Sequence, residues 1–549
     1  MKAAAGLIEL LRSEGVDRVF GNPGTTELPF MEALALAPEM PYHLGLHEVA
    51  VVSMADGHAR ASRRTSFVNL HIAAGLANGL SMVLNARRAR TPMVVTAGQQ
   101  HRGHLIQDPM LGGDLLALSQ GAFKEAVEVA RVEDLGLLMR RAFARAQAPP
   151  SGPVLVSLPV DVLEEELPPP LPPRSEIAPP GPAQGLEAAA AILLEARAPA
   201  IVAGDGVGRE GALDELVRVA EALGATVFHE PMYDACDFPA THPLSAGMMP
   251  PVNVEIRRRL EAHDVLFLVG SHAFSAHYYT PPAAIPDDVT VVQLDPDAAE
   301  LGRNYAVAAG LHGGVRATLA ALLPLLEGQS GEAGERLAAA RAKGESLAGE
   351  RDGAADDPAV AARALVDALP PDTVMIEEAI TTGLLVRAAF AADRPGSYHH
   401  SVGGALGWGI GAGIGVKLAR PDAPVVAVVG DGCAMYGIQG LWSAARYEVP
   451  VVVAVLNNRE YRACKQGIPR VMEPSGADRF VGMDLAPPAI DFVSLAKSLG
   501  VSAARAEGPE AIAGEIESAL QAGAPALVEI AIAGSPERRA QAGAVAVEA

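Results

Sequence analysis

Two stretches of this chain, 358 positions apart, share one plan: an apolar run, two glycines, a helical segment, a proline and a second apolar run. The first has residues 67–70, Gly75 and Gly79, a helix through Ala86, then Pro92 and residues 93–96. The second has residues 425–429, Gly430 and Gly432, a helix through Ala444, then Pro450 and residues 451–456. The shift also superposes Gly79 on Gly437 and Ala86 on Ala444. Strand, helix and returning strand at this spacing make a parallel crossover unit, whose loops at the strand C-termini are where ligands bind. Any two such units share this outline, so the repeat by itself leaves common descent open. The expected class is α/β, with doubly wound parallel sheets.

The rest of the chain sets limits. Its 549 residues are too many for one core and suggest three or four domains. Half the residues are apolar, which excludes wholesale disorder. With 43 basic against 65 acidic side chains the net charge is -22, a surface that repels phosphate backbones, so neither nucleic acid nor an anionic membrane is an expected partner. Cys236, Cys433 and Cys464 are widely spaced and form no C-x-x-C pair, which fits a reducing cytoplasm and no zinc site. Glu9, Arg12 and Glu14 interrupt what a secretory apolar core would need. The longest stretch free of Asp, Glu, Lys, Arg and His, 401–416, is too short for a membrane helix and mostly Gly and Ala.

Residues 168–182 hold eight prolines and read as a linker. A second linker, about 327–358, is rich in Gly, Ala, Glu and Arg, with Lys343, Glu345, Glu350 and Arg351 giving it a solvated, partly helical character. Three domains follow: 1–167, 183–326 and 358–535. The middle one offers buried strands at 200–203, 265–269 and 289–294. Its run from Gly204 to Gly208 invites a dinucleotide reading, but Arg209 stands where the third glycine is required, so a structural strand-to-helix turn is preferred.

The chemistry-bearing pattern is Gly430-Asp431-Gly432 after one strand and Asn457-Asn458 after the next, with Asn458 27 residues past Asp431. Carboxylate and amide oxygens are hard donors that suit Mg2+, and the glycines let backbone approach a diphosphate. An isolated Asp-Gly is a common turn; the compound pattern is far more specific.

This pattern resembles the diphosphate motif of the thiamine-diphosphate-dependent enzymes of 2-oxo acid metabolism, and the resemblance covers nearly the whole chain. It implies a pyrimidine-binding first domain, a central Rossmann-like domain and a diphosphate-binding third domain. It also implies thiamine diphosphate and Mg2+ as cofactors, with Asp431, Asn458 and the backbone carbonyl of Glu460 as metal ligands. Gly430, Gly432, Cys433 and Tyr461 would border the cofactor. Leu406, in GALGW, would wedge it, although a leucine there also fits a core, and Glu378 would stand near it. Glu48, in LHEVA, matches the family glutamate that shares a proton with the aminopyrimidine. Alone it reads as a solvated helix-start residue.

Within that family, FGNPGTTELPF at 20–30, NLHIAAG at 69–75, VTAGQQ at 95–100 and residues 270–279 resemble the benzoylformate decarboxylase branch. The match implies catalytic roles for His71 and His277, which would relay protons, and for Thr25, which would orient the substrate carboxylate. Singly, each histidine reads as structural. The implied reaction is non-oxidative decarboxylation of an aromatic or bulky 2-oxo acid to an aldehyde and carbon dioxide. The implied assembly is a homodimer or homotetramer with shared active sites. Ile380, Cys464 and Gly467 depart from that branch and predict a wider, drier substrate pocket. An acetolactate-synthase-like carboligase and a silent scaffold paralogue are the alternatives; for the latter, loss of Glu48, Asp431 or Asn458 is expected, and none is lost.

Overall fold

The structure, a computed structural model, describes residues 1–274, 276–328, 333–344, 354, 356–474 and 480–534. Glu345, Glu350, Arg351 and residue 535 lie outside the described residues; the helix Ala333–Gly344 runs through part of the second linker, and residues 168–182 carry neither helix nor strand apart from a local bend.

Three six-stranded sheets follow one another along the chain, and every strand pair in them is parallel. The first contains β1 (Val19–Asn22), β2 (Tyr42–Leu44), β3 (Ser66–Leu70), β4 (Met93–Gln99), β5 (Glu125–Glu128) and β6 (Pro153–Pro159), in the order β2-β1-β3-β4-β6-β5. The second contains β7 (Pro199–Ala203), β8 (Thr226–His229), β9 (Ser245–Met248), β10 (Val265–Val269), β11 (Thr290–Asp295) and β12 (Ala309–His312), in the order β9-β8-β7-β10-β11-β12. The third contains β13 (Val374–Glu378), β14 (Tyr398–His400), β15 (Val425–Gly430), β16 (Val452–Asn457), β17 (Ser502–Ala506) and β18 (Ala526–Ala531), in the order β14-β13-β15-β16-β18-β17. β3, β4, β7, β10 and β16 are buried along their whole length, which is why they read as continuous apolar runs.

The outer sheets have the same strand order, in keeping with the internal repeat; the central one has the order typical of doubly wound nucleotide-binding sheets. One expectation needs correction. The first copy has a single helix, Ile72–Arg88, but the second is broken into Asp431–Gly437 and Gly440–Arg446. Gly437 lies so close to the Gly407 carbonyl that no Cβ would fit.

The outer domains share one core, in which Val52, Met54, Met82, Trp408, Ile414 and Val453 belong to a continuous cluster. At its centre the helices Glu48–Ser62 and Trp408–Ala419 cross with backbones in near contact. A Cβ on Gly411 would stand 2.6 Å from that of Ser53, and one on Gly415 would run into the Met54 carbonyl. The Gly- and Ala-rich stretch thus serves close helix packing.

Candidate active site

In the third domain the strand ends converge. β15 delivers Gly430 and Asp431, β16 delivers Asn457 and Asn458, and the chain after β13 delivers residues 379–382. All of these except Asn457, together with Leu406, Cys433, Glu460, Tyr461 and Cys464, line a cavity of about 120 Å3. Asp431 is buried, accepting the Gly432 N–H at 2.8 Å and the Arg459 N–H at 2.7 Å. Burial nevertheless pushes its carboxyl up to about 6. A divalent cation would supply the missing counter-charge, so the residues fit Mg2+. Among the described residues no cluster of three or more His, Cys, Asp or Glu side chains could hold a metal. The donors here are instead one carboxylate, one amide and main chain, the set expected when phosphate oxygens and water complete the shell.

The two asparagines divide their work. Asn457 donates to Glu529 at 2.7 Å within the sheet, whereas Asn458 lines the cavity and its side-chain oxygen accepts the Glu460 N–H at 3.0 Å. The Glu460 carboxylate is buried against Lys465, which also pairs with Asp484 at 2.8 Å, so what Glu460 offers the cavity is its main chain. Gly432 admits the Tyr461 ring, since a Cβ there would lie 2.6 Å from Cε1. The Cys433 thiol is driven far above its usual range by burial and neighbouring carboxylates, which makes it an inert wall rather than a nucleophile.

Glu378 behaves differently from expectation. Its carboxylate accepts the N–H groups of Gly407, Trp408 and Gly409 at 2.8–3.0 Å, and it does not line the cavity. It anchors the start of the Trp408–Ala419 helix and so sets the position of Leu406. Burial pushes it up to about 8. The expected pocket widening at Gly467 also needs correction: a Cβ there would lie 2.7 Å from the Tyr278 hydroxyl, so a tyrosine fills that space. Ile380 and Cys464 do face the cavity.

A second cluster forms at the same end of the first sheet. Glu48, 6% exposed, opens its helix after β2, with the Asn22 amide 3.5 Å from one carboxylate oxygen and the Asn78 amide 3.1 Å from the other. Gly75 leaves room for it, as a Cβ there would sit 3.1 Å from Oε1. His71 follows β3, with Nδ1 2.8 Å from Glu27 Oε2 and 3.2 Å from the Thr26 hydroxyl. Glu27 is 2% exposed and also accepts the Gly24 N–H and the Thr26 O–H, both at 2.8 Å. The hydroxyl beside His71 is therefore that of Thr26; Thr25 is exposed. His277 is also exposed, on the central domain, its ring edge-on to Tyr278 at 4.5 Å. Glu27, Thr26, Asn22 and Asn78 received no role from the sequence, although Glu27 closes the recognised GTTE run. Thr25, Glu48, His71 and His277 do not line the Asp431–Asn458 cavity.

Three doubly wound parallel sheets, a duplicated outer unit and a strand-end cavity with Asp, Asn and glycines define a diphosphate-cofactor enzyme of the thiamine type. Family models for the thiamine pyrophosphate enzyme match in all three parts: the N-terminal TPP binding domain at residues 1–126, the central domain at 186–322 and the C-terminal TPP binding domain at 381–530. The chain belongs to this family of thiamine-diphosphate-dependent enzymes. It is 34% identical to a benzoylformate decarboxylase from Pseudomonas aeruginosa over 530 residues, covering 95% of this chain and 97% of that one. It is 30% identical over 546 residues to a putative acetolactate synthase large subunit from Mycobacterium tuberculosis, covering 97% and 99%. The structure of a thiamine diphosphate-dependent 4-hydroxybenzoylformate decarboxylase from Rhodococcus jostii RHA1 superposes with a TM-score of 0.89 at 32% identity, covering 97% of this chain and all of that one.

Proposed function

We propose that this enzyme removes carbon dioxide non-oxidatively from a 2-oxo acid bearing an aromatic or comparably bulky group and releases the aldehyde. The observation that carries the reading is His71 clamped by Glu27 and Thr26 after β3, at the end of the sheet that also presents Glu48 after β2. The likeness to two benzoylformate-type decarboxylases supports it.

Thiamine diphosphate, when bound, supplies the electron sink for the pair left as carbon dioxide departs. Asp431, Asn458 and the Glu460 carbonyl would hold Mg2+ against its diphosphate, in the bed lined by Leu406, Gly430, Gly432, Cys433 and Tyr461. Glu48, steadied by Asn22 and Asn78, would share its proton with the aminopyrimidine. With Nδ1 engaged by Glu27, His71 keeps Nε2 to pass and recover a proton. His277 would serve as the second relay, and the exposed Thr25 hydroxyl would orient the substrate carboxylate.

Glu48 and His71 lie outside the Asp431–Asn458 cavity of their own chain, so in this reading a second copy completes the site, with a dimer as the minimum and a tetramer as the expected form. Ile106 and Met110, 91% and 84% exposed on the segment after β4, support such a covered face. The free cysteines fit a reducing cytoplasm, and among the described residues no helix is long and apolar enough to cross a membrane.

Steady-state kinetics with aldehyde detection on pyruvate, benzoylformate, a ring-substituted benzoylformate and phenylpyruvate tests the reading; the benzoylformates are expected to lead and pyruvate to come last. The likeness to acetolactate synthase favours a second reading, carboligation. Pyruvate ranking first, with an acyloin-type product, would replace the first reading by the second.

A further inference from the structure

Where the three domains meet, a cavity of about 670 Å3 is lined by Arg60, Arg63, Arg64, Arg174, Arg209 and Arg420, together with Arg90. Its lining includes two acidic side chains, Glu14 and Asp234, in a chain whose net charge is -22. Such a gathering of like charge opposes folding unless something offsets it.

The arginines are not equally spent. Arg90 is bound by Asp295, Asp297 and Glu300, and Arg60 pairs with Asp56 at 2.9 Å and lies over the Trp408 ring. Arg209 reaches Asp205 and Asp234 only at 3.8 and 3.7 Å, and its Nη2 is buried without a hydrogen-bond partner. Arg63, in a left-handed position at the end of the Glu48–Ser62 helix, donates to the Gly208 carbonyl at 3.3 Å. Neither Arg63 nor Arg420 has a carboxylate within ion-pair distance among the described residues.

His399 supplies an independent sign. It is 4% exposed, lines the same cavity, and neither ring nitrogen has a partner. Burial, then Arg60, Arg420 and Arg63, hold it down at about 3, so its ring is neutral and offers one N–H and one lone pair. Buried polar groups in native proteins are almost always satisfied, so a ring left open toward a cavity points to something that fills the cavity.

We infer that this three-domain cavity is a binding site for a small phosphate-bearing anion, held by Arg63, Arg209 and Arg420 with His399 as a hydrogen-bonding contact. Guanidinium forks match phosphate oxygens two at a time, and the volume suits a ligand the size of a nucleotide or sugar phosphate. The cavity shares no lining residue with the Asp431–Asn458 cavity. Because its walls come from all three domains, an occupant would also fasten them together.

The test uses the enzyme saturated with thiamine diphosphate and excess Mg2+, so that the diphosphate bed is filled. Inorganic phosphate and ADP are titrated separately by calorimetry and by thermal shift, up to about 10 mM, a range that captures millimolar affinities. Saturable, chloride-sensitive binding with a raised melting temperature is expected. Each of Arg63→Ala and Arg420→Ala, both at exposed positions, should weaken it about tenfold, as for loss of one charge-assisted contact, while Arg131→Ala should leave it unchanged. ADP binding more tightly than phosphate would assign the site to a nucleotide, and equal affinities to phosphate alone. No binding of either probe, binding as tight in both arginine variants as in the parent enzyme, or binding that vanishes once the cofactor is saturating would overturn the proposal.

Discussion

Replacing Glu27 by glutamine isolates what the clamp on His71 does. The change keeps the shape of a side chain that is 2% exposed and wedged against Gly98, where a Cβ would have no room. Glutamine can still accept from Gly24 and His71 through its oxygen and turn its amide toward Thr26, whose hydroxyl can reverse to accept. Folding and cofactor binding should therefore survive. What disappears is the negative charge 2.8 Å from Nδ1 at the moment His71 carries a second proton. Opposite unit charges about 4 Å apart at an effective dielectric constant near 20 attract by about 4 kcal/mol. A neutral hydrogen bond keeps about 1 kcal/mol of that. The net loss of about 3 kcal/mol in the transition state corresponds to roughly a hundredfold fall in kcat/KM, carried by kcat rather than KM. Steady-state kinetics on benzoylformate, alongside calorimetric cofactor binding, measures both parts. A variant within twofold of the parent enzyme, with cofactor affinity intact, would refute the positioning role of Glu27.

Asp431→Ala should abolish retention of thiamine diphosphate, since it removes the carboxylate assigned to the cation; normal affinity by calorimetry with Mg2+ present would sink that assignment. Gly415→Ala drives a methyl group into the Met54 carbonyl and to 2.7 Å from the His58 nitrogen, and overpacking of this kind costs about 1–3 kcal/mol. The midpoint of thermal unfolding should drop by several degrees, and an unchanged midpoint would show that the helix crossing has slack. His399, held at about 3, stays neutral in the folded chain while the unfolded chain takes up its proton below about pH 6.5. Its contribution to stability is therefore absent above that pH and increasingly unfavourable as pH falls toward 3. His399→Leu should flatten the acid side of a denaturant-stability profile, and parallel profiles for the two proteins would contradict the burial argument.

The strand runs, the glycine punctuation and the strand-end motif were legible in the sequence because each is local. A buried parallel strand is apolar throughout, and a turn that brings backbone close to a neighbour needs glycine, so 425–458 announced both its fold and its Asp431–Asn458 pair. The repeat at a shift of 358 gave two matching crossover units; that the two whole sheets share one strand order came only from the structure. Contacts that cross large sequence separations left no comparable trace. His71 meets Glu27 across 44 residues, and Glu378 turns to the Gly407–Gly409 amides, away from the cavity. Tyr278, almost two hundred positions before Gly467, occupies the space that a glycine promised. The arginines of the three-domain cavity come from positions 60 to 420 and read singly as solvated surface charge. Periodicity and turn chemistry say which way a side chain faces along its own element; which partner it meets there is set by how the sheets and helices of three domains pack, and that is decided only when the chain closes on itself.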